Sequence, residues 1–188
     1  FIRGCLQHNM YSNDKAIDLF NMMVEMNDDY YSSGRPVYVN ADIIINDICS
    51  KMPLAASDTI LDVGCGTGVV TIPLSQKVNY IHALDAGDKV LEKLRVNCKK
   101  RKISNIQIHK GFATKLPFSN DCFDKVLMYA ALHYLDNEEK IEQCIQELIR
   151  VCKPKGYILV AEIPEKSARI EFEKRDKDKY EIRIIKEF

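Results

Sequence analysis

Ile60-Leu61-Asp62-Val63-Gly64-Cys65-Gly66-Thr67-Gly68 is the stretch on which the fold turns. Thr59 to Val63 is a short apolar run bounded by turn residues, the pattern of a buried strand. It runs straight into three glycines at alternate positions. Glycine at such a corner lets the backbone bend tightly and leaves room for a ligand that a Cβ would exclude.

Outward from this corner, strands and helices alternate. Tyr80 to Leu84 is a second strand, with a helix-length segment between it and the first. A helix over about Asp88 to Lys102 follows, then strands at Ile106 to His109 and Phe123 to Met128. A long amphipathic helix over about Asn137 to Cys152 is broken by Lys153-Pro154-Lys155-Gly156, and a strand at Tyr157 to Ala161 comes next. The alternation predicts an α/β fold, a Rossmann-like doubly wound and mostly parallel sheet that binds ligands beyond the carboxyl ends of its strands. The tail, Arg169 to Glu173 and Lys179 to Ile185 around the charged turn Arg175-Asp176-Lys177-Asp178, predicts a C-terminal antiparallel hairpin.

Before the sheet, Ser12, Asn13 or Asp14 can cap a helix over about Lys15 to Met26, and Asn40 can cap a second one ending near Met52. Residues 1–52 thus read as N-terminal helices and 53–188 as the core, a single domain overall. A chain of 188 residues suits one such domain. Its 46% hydrophobic and 29% charged content excludes disorder and fibrous repeats.

Lys plus Arg and Asp plus Glu both total 27, so no general positive field gathers nucleic acid. The basic cluster Lys99 to Lys102 falls at a predicted helix end, where cations complement exposed carbonyls. The seven cysteines show neither a CxxC pair nor zinc spacing with His and read as reduced thiols. No apolar run approaches the ~18 to 20 residues that span a bilayer, and no signal-peptide pattern precedes the first helix. The expectation is a cytoplasmic protein without membrane insertion, acting on a small-molecule substrate. The chain opens on Phe1 rather than Met, so its natural amino terminus is expected upstream.

Which ligand fits the corner is a question of spacing and charge. Nicotinamide-binding loops use GxGxxG to set a pyrophosphate against a helix amino terminus, and here the third glycine of that pattern would fall at Val69. S-adenosylmethionine (SAM) has no phosphates, and its methionine end carries an ammonium and a sulfonium. Asp62, just before the glycines, complements that charge directly or through a water. A ribose with two free hydroxyls wants a bidentate acceptor at the end of the second strand, and Asp85 closes Ile81-His82-Ala83-Leu84-Asp85. The plainer reading of Asp85 is a helix cap, a part that Asp88 also offers.

With these residues in view, the sequence resembles the class I SAM-dependent methyltransferases, and within them the small-molecule group similar to ubiquinone and menaquinone methylases. The resemblance covers roughly Asp58 to Ile163. It rests on Ile60 to Gly68, Asp85, Gly111-Phe112-Ala113-Thr114-Lys115-Leu116-Pro117-Phe118, Phe123-Asp124-Lys125-Val126-Leu127, and Leu148-Ile149-Arg150-Val151-Cys152-Lys153-Pro154-Lys155-Gly156-Tyr157. By that resemblance Gly64, Cys65, Gly66 and Gly68 line the methionine and ribose portions of SAM, with Asp62 behind them. Asp85, followed by Ala86, takes the ribose hydroxyls. Phe112 and Ala113 flank the adenine, and Met128 is a further cofactor contact. The family often carries Asp where this chain has Phe112, so stacking is expected to replace the usual acceptor for the adenine amino group.

Methyl transfer is an in-line displacement at a carbon activated by positive sulfur, so the protein mainly aligns the reactants. A base is needed only where the acceptor must lose a proton. Met128-Tyr129-Ala130-Ala131-Leu132-His133-Tyr134-Leu135 resembles the family stretch that faces the transferred methyl, which makes His133 the base candidate and Tyr129 a substrate contact. A half-buried structural His stays the alternative. The resemblance also implies that the N-terminal helices form a lid, with Tyr30, Tyr31 and Arg35 closing on the substrate; Arg35 suits a carboxylate or phosphate. A surface turn with an ordinary ion pair is the plainer reading of that loop.

The expected reaction moves a methyl from SAM to an O or N atom of a small acceptor and releases S-adenosylhomocysteine. Candidate acceptors are a phosphorylated or anionic metabolite, a sugar derivative, or a lipid or quinone precursor. Amino-methylating DNA enzymes carry an Asp/Asn-Pro-Pro-aromatic signature that Tyr129 to Leu135 lacks. Two rivals stand: a nicotinamide-dependent oxidoreductase, against which the glycine spacing speaks, and a SAM-binding scaffold without turnover.

Overall fold

Each short apolar run identified in the core becomes a strand, and the segments between the first three hold helices of very different length. The structure, a computed structural model, describes residues 13–26, 41–164 and 181–187. In chain order the elements are α1 (Asn13–Met26), α2 (Ala41–Lys51), β1 (Thr59–Val63), α3 (Thr71–Ser75), β2 (Tyr80–Asp85), α4 (Asp88–Lys100), β3 (Ile106–Lys110), β4 (Phe123–Tyr129), a 3-10 turn (Leu132–Tyr134), α5 (Glu138–Val151), β5 (Cys152–Pro164) and β6 (Glu181–Glu187). The helix between β1 and β2 has only 5 residues, because the glycine bend uses up much of that connection. Asn137 caps α5 by accepting the Lys140 N–H at 2.8 Å.

Among the described residues the strands form one sheet in the order β3-β2-β1-β4-β5-β6. Every pairing is parallel. The order reverses beside β1, which has β2 on one side and β4 on the other, and such a switch point opens a crevice at the carboxyl ends of the strands.

Period-two alternation then sends side chains to both faces. Leu61, Val63, Val126, Met128, Ile158 and Val160 pack under α5 with Cys144, Ile145 and Leu148. Ile60, Leu127, Tyr129 and Leu159 face Ile44, Ile45 and Ile48 of α2. A third cluster joins Ala83 to Val90, Leu91 and Leu94 of α4, and Phe20 and Val24 of α1 pack against it. The sheet is therefore covered on both faces.

The tail corrects the reading of the sequence. β6 lies parallel to β5, Tyr157 opposite Glu181 and Val160 opposite Ile184, so the expected antiparallel hairpin is not borne out among the described residues. Alternation marks a strand but carries no direction, and a parallel partner needs a returning crossover rather than a tight turn. The other half of that expected hairpin, Arg169 to Glu173, lies outside the described residues. No helix among the described residues is long and apolar enough to cross a membrane.

Candidate functional site

The carboxyl ends of β1, β2, β3 and β4 lie side by side, since Val63 pairs with Leu84, Leu84 with His109, and Asp62 with Leu127. Four chain exits therefore meet at one edge: Gly64, Asp85, Gly111 and Ala130. The cofactor-site candidates of the core, and His133, all lie within four residues of one of them.

The glycine bend is clamped by protein on several sides. The N–H groups of Gly64 and Cys65 both donate to Leu84 O, at 2.8 and 3.1 Å. Gly64, Gly66 and Gly68 all have positive φ, at 79°, 52° and 92°. A Cβ on Gly64 would stand 2.5 Å from Ala131 Cβ, in the turn after β4, and one on Gly68 would collide with Leu94 of α4. These two glycines are thus dictated by packing as well as by backbone conformation. Cys65 turns its buried thiol into the α4 cluster. Burial, and then the nearby Asp85 and Asp62 charges, push that thiol well above its ordinary range, so it stays a neutral packing group.

Asp85 ties β2 to this bend. Its Oδ2 accepts the Gly66 N–H and its Oδ1 the Gly87 N–H, both at 2.9 Å. Burial raises the Asp85 pKa, and the N–H bonds from Gly87, Gly66 and Ala86 pull the other way. A carboxylate has about four acceptor positions, so capacity remains for a ligand hydroxyl. Asp85 O accepts the Gly111 N–H at 3.0 Å, which brings the exit of β3 alongside.

Phe112 comes next and is 47% exposed, an unusual position for a ring, while Ala113 packs against the α5-side core. The end of that loop is knitted to α5. Arg150 donates to Phe118 O at 2.7 Å and Leu116 O at 3.1 Å, and Glu147 Oε2 accepts the Leu116 N–H at 2.7 Å.

Asp62 is 3% exposed, and its Oδ2 accepts the Thr71 hydroxyl at 2.6 Å. Thr71 opens α3, so the hydroxyl fixes the carboxylate beneath the bend. Asn97 of α4 performs a similar task, donating to Thr67 O at 3.0 Å from a fully enclosed position. Neither contact was foreseen from the sequence. For Asn97 the signal was a polar residue on the apolar stripe of a helix; for Thr71 there was none.

Met128 and Tyr129 diverge, as neighbours on a strand must. The Met128 side chain is buried on the α5 side with Cys144 Sγ at 3.7 Å from its sulfur, and Tyr129 is buried on the α2 side. Beyond them Ala130 has φ 55°, a left-handed conformation that alanine adopts at a cost. This bend presents Ala131 to Gly64 and leads into the 3-10 turn. His133 is half-buried there, its ring 4.1 Å from that of Tyr134. Tyr134 in turn meets Phe20 of α1 edge-on at 5.0 Å. Tyr30, Tyr31 and Arg35 lie outside the described residues. No group of three or more His, Cys, Asp or Glu among the described residues is placed to hold a metal ion.

Comparison with known proteins agrees with this geometry. Residues 60–156 match the methyltransferase domain family. An uncharacterized methyltransferase of Schizosaccharomyces pombe is 33% identical over 146 residues, covering 71% of this chain and 51% of that protein. Demethylmenaquinone methyltransferase of Shouchella clausii is 34% identical over 119 residues, covering 62% of this chain and 49% of that protein. Among solved structures, phosphoethanolamine N-methyltransferase 1 of Haemonchus contortus, crystallised with phosphoethanolamine and S-adenosylhomocysteine, superposes with a TM-score of 0.60 at 20% identity, over 79% of this chain and 32% of that one. The chain spans about half the length of these two curated relatives.

Proposed function

The chain belongs to the methyltransferase domain family, and from that membership we propose that it transfers a methyl group from SAM to an O or N atom of a small-molecule acceptor. One observation carries the reading: a bend of three positive-φ glycines is held by a half-buried carboxylate on the next strand.

SAM supplies an electrophilic methyl on positive sulfur. Asp85 accepts the ribose hydroxyls, and Gly64, Cys65, Gly66 and Gly68 let the nucleoside approach the main chain. Ala86 lies beside the sugar, and Phe112 offers its exposed ring to adenine, with Ala113 behind it. Asp62, oriented by Thr71, contributes negative charge beneath the methionine ammonium. The Met128 side chain is committed to the core, so its share in the site is main chain.

The new bond forms between the methyl carbon and the acceptor atom while the carbon–sulfur bond breaks, its electron pair staying on sulfur to give S-adenosylhomocysteine. The acceptor's proton goes to His133, since imidazole is the side chain suited to taking up a proton near neutral pH, or to water. Residues 1–52 act as a lid over the core. Phe20 of α1, in contact with Tyr134 beside His133, supports that placement.

For the acceptor we infer an anionic or phosphorylated metabolite, a sugar derivative, or a lipid or quinone precursor. Tyr30, Tyr31 and His133 would surround it, Tyr129 would contribute main chain because its side chain packs on the α2 side, and Arg35 would pair with its charge. The named relatives support this range, since one acts on demethylmenaquinone and another was crystallised with phosphoethanolamine. The test is turnover of SAM against an acceptor panel that includes phosphoethanolamine and quinone precursors, with release of S-adenosylhomocysteine as the readout. Release with one class supports the reading. Binding without release from any class favours the scaffold.

A further inference from the structure

A helix begins with N–H groups that have no partner inside it, and a side chain at the cap position usually accepts one of them. α4 starts immediately after the Asp85 corner, and its cap position is Gly87, which has no side chain to offer. The acceptor comes from elsewhere. Asn21 of α1 takes the Lys89 N–H on its Oδ1 at 3.0 Å, 68 residues away in sequence. A Cβ on Gly87 would stand 3.0 Å from that same oxygen, so the Asn21 amide fills the space that a cap side chain at 87 would need. Gly87 meanwhile donates its N–H to Asp85 Oδ1. The corner is thus held by Asp85 from within and by Asn21 through the first turn of α4.

The residue before Asn21 faces the other half of the site. Phe20 packs edge-on against Tyr134, the neighbour of His133, and against the cluster beneath α4. Two adjacent side chains of one helix therefore join the ribose corner to the turn after β4. The ion pair between Lys89 and Glu25 at 2.8 Å is exposed on both sides and adds little.

We propose that Asn21 is a positioning residue for cofactor binding: it caps α4 from outside and so fixes the Asp85–Gly87 corner that grips the ribose. This rests on the reading of Asp85 as the ribose acceptor. In consequence α1 is part of the cofactor site and not merely a cover.

The test is calorimetry of S-adenosylhomocysteine binding to the full chain, with melting temperatures measured alongside. Asn21→Ala is expected to weaken affinity about fivefold, the equivalent of one lost cap. Asn21→Leu, of similar size and higher helix propensity, is expected to do the same and carries the test if the alanine variant does not fold. Asn21→Asp retains the acceptor and is expected to stay within about twofold of the wild type.

The decisive variant is Asn21→Ala with Gly87→Ser. The backbone at 87 is extended, with φ −86° and ψ 120°, as a cap residue requires, and the remaining close neighbour of a new Cβ is the rotatable Val90 Cγ2 at 2.8 Å. A serine there restores the cap locally and should restore affinity. Met22→Ala, on the exposed side of α1, should leave it unchanged. Unchanged affinity in Asn21→Ala or Asn21→Leu, even with a lower melting temperature, overturns the proposal, as does failure of Gly87→Ser to rescue. Absence of binding by the wild type would instead remove the cofactor reading itself.

Discussion

Asp85 Oδ2 accepts the Gly66 N–H at 2.9 Å, so the end of the second strand holds the bend that follows the first. The contact spans 19 residues of sequence and makes the carboxylate both a fastening and, in our reading, the sugar acceptor. Asp85→Asn keeps the shape but replaces one acceptor oxygen by a donor and removes the charge. S-adenosylhomocysteine affinity is expected to fall roughly 10- to 100-fold, as for loss of a charged hydrogen bond. Because burial raises the Asp85 pKa, the carboxylate is protonated at a higher pH than an ordinary aspartate. Affinity should therefore decline on acidification before the usual carboxylate range is reached, and Asp85→Asn should abolish that decline. Calorimetry at a series of pH values checks both.

Gly68→Ala faces a positive φ of 92° and a collision with Leu94. We expect a loss of roughly 2 to 4 kcal/mol, combining left-handed strain with overpacking. Urea unfolding measures it. Gly66→Ala, at φ 52°, should cost roughly 1 to 2 kcal/mol.

Arg150 grips two carbonyls of the Phe112 loop, and Lys cannot reproduce its fork. Arg150→Lys should destabilise by about 2 kcal/mol and weaken cofactor binding through the displaced loop. Hydrogen bonding from Arg150 lowers the Glu147 pKa. The folded value lies below the unfolded one, so this contribution is present above the ordinary glutamate range and is lost as pH falls through the lowered value. Urea midpoints from pH 3 to 7 check the sign.

His82 Nδ1 and His109 Nε2 lie 3.0 Å apart against Phe118 and Phe123. Burial lowers both pKa values, and the mutual charge lowers His82 further. Here the unfolded chain takes up protons first, so stability should fall as pH drops below about 6.5, until the folded pair titrates. His82→Phe keeps an aromatic ring in the cluster and should flatten that acid limb in urea unfolding.

The sequence was most readable where a local pattern has one physical solution. Alternating glycines after an apolar run specify a bend, and that bend, with Asp85 at the end of the neighbouring strand, was legible. Contacts that join distant segments were not. Asn21 with Lys89, Asn97 with Thr67, and Arg150 with Leu116 depend on packing that no short window contains. Met128 and Tyr129 show a subtler limit, since alternation says that neighbours diverge but not which face either takes. The direction of β6 is a third case, since the alternation of its residues suits a parallel and an antiparallel neighbour alike.

On our proposal the bend held by Asp85 accommodates a sulfonium nucleoside and not a dinucleotide. Calorimetric titration of the full chain with S-adenosylhomocysteine, set beside NAD, tests it most directly. One-to-one binding of S-adenosylhomocysteine and no heat from NAD is expected. Saturating NAD binding, or no binding of S-adenosylhomocysteine by a folded chain, would contradict it.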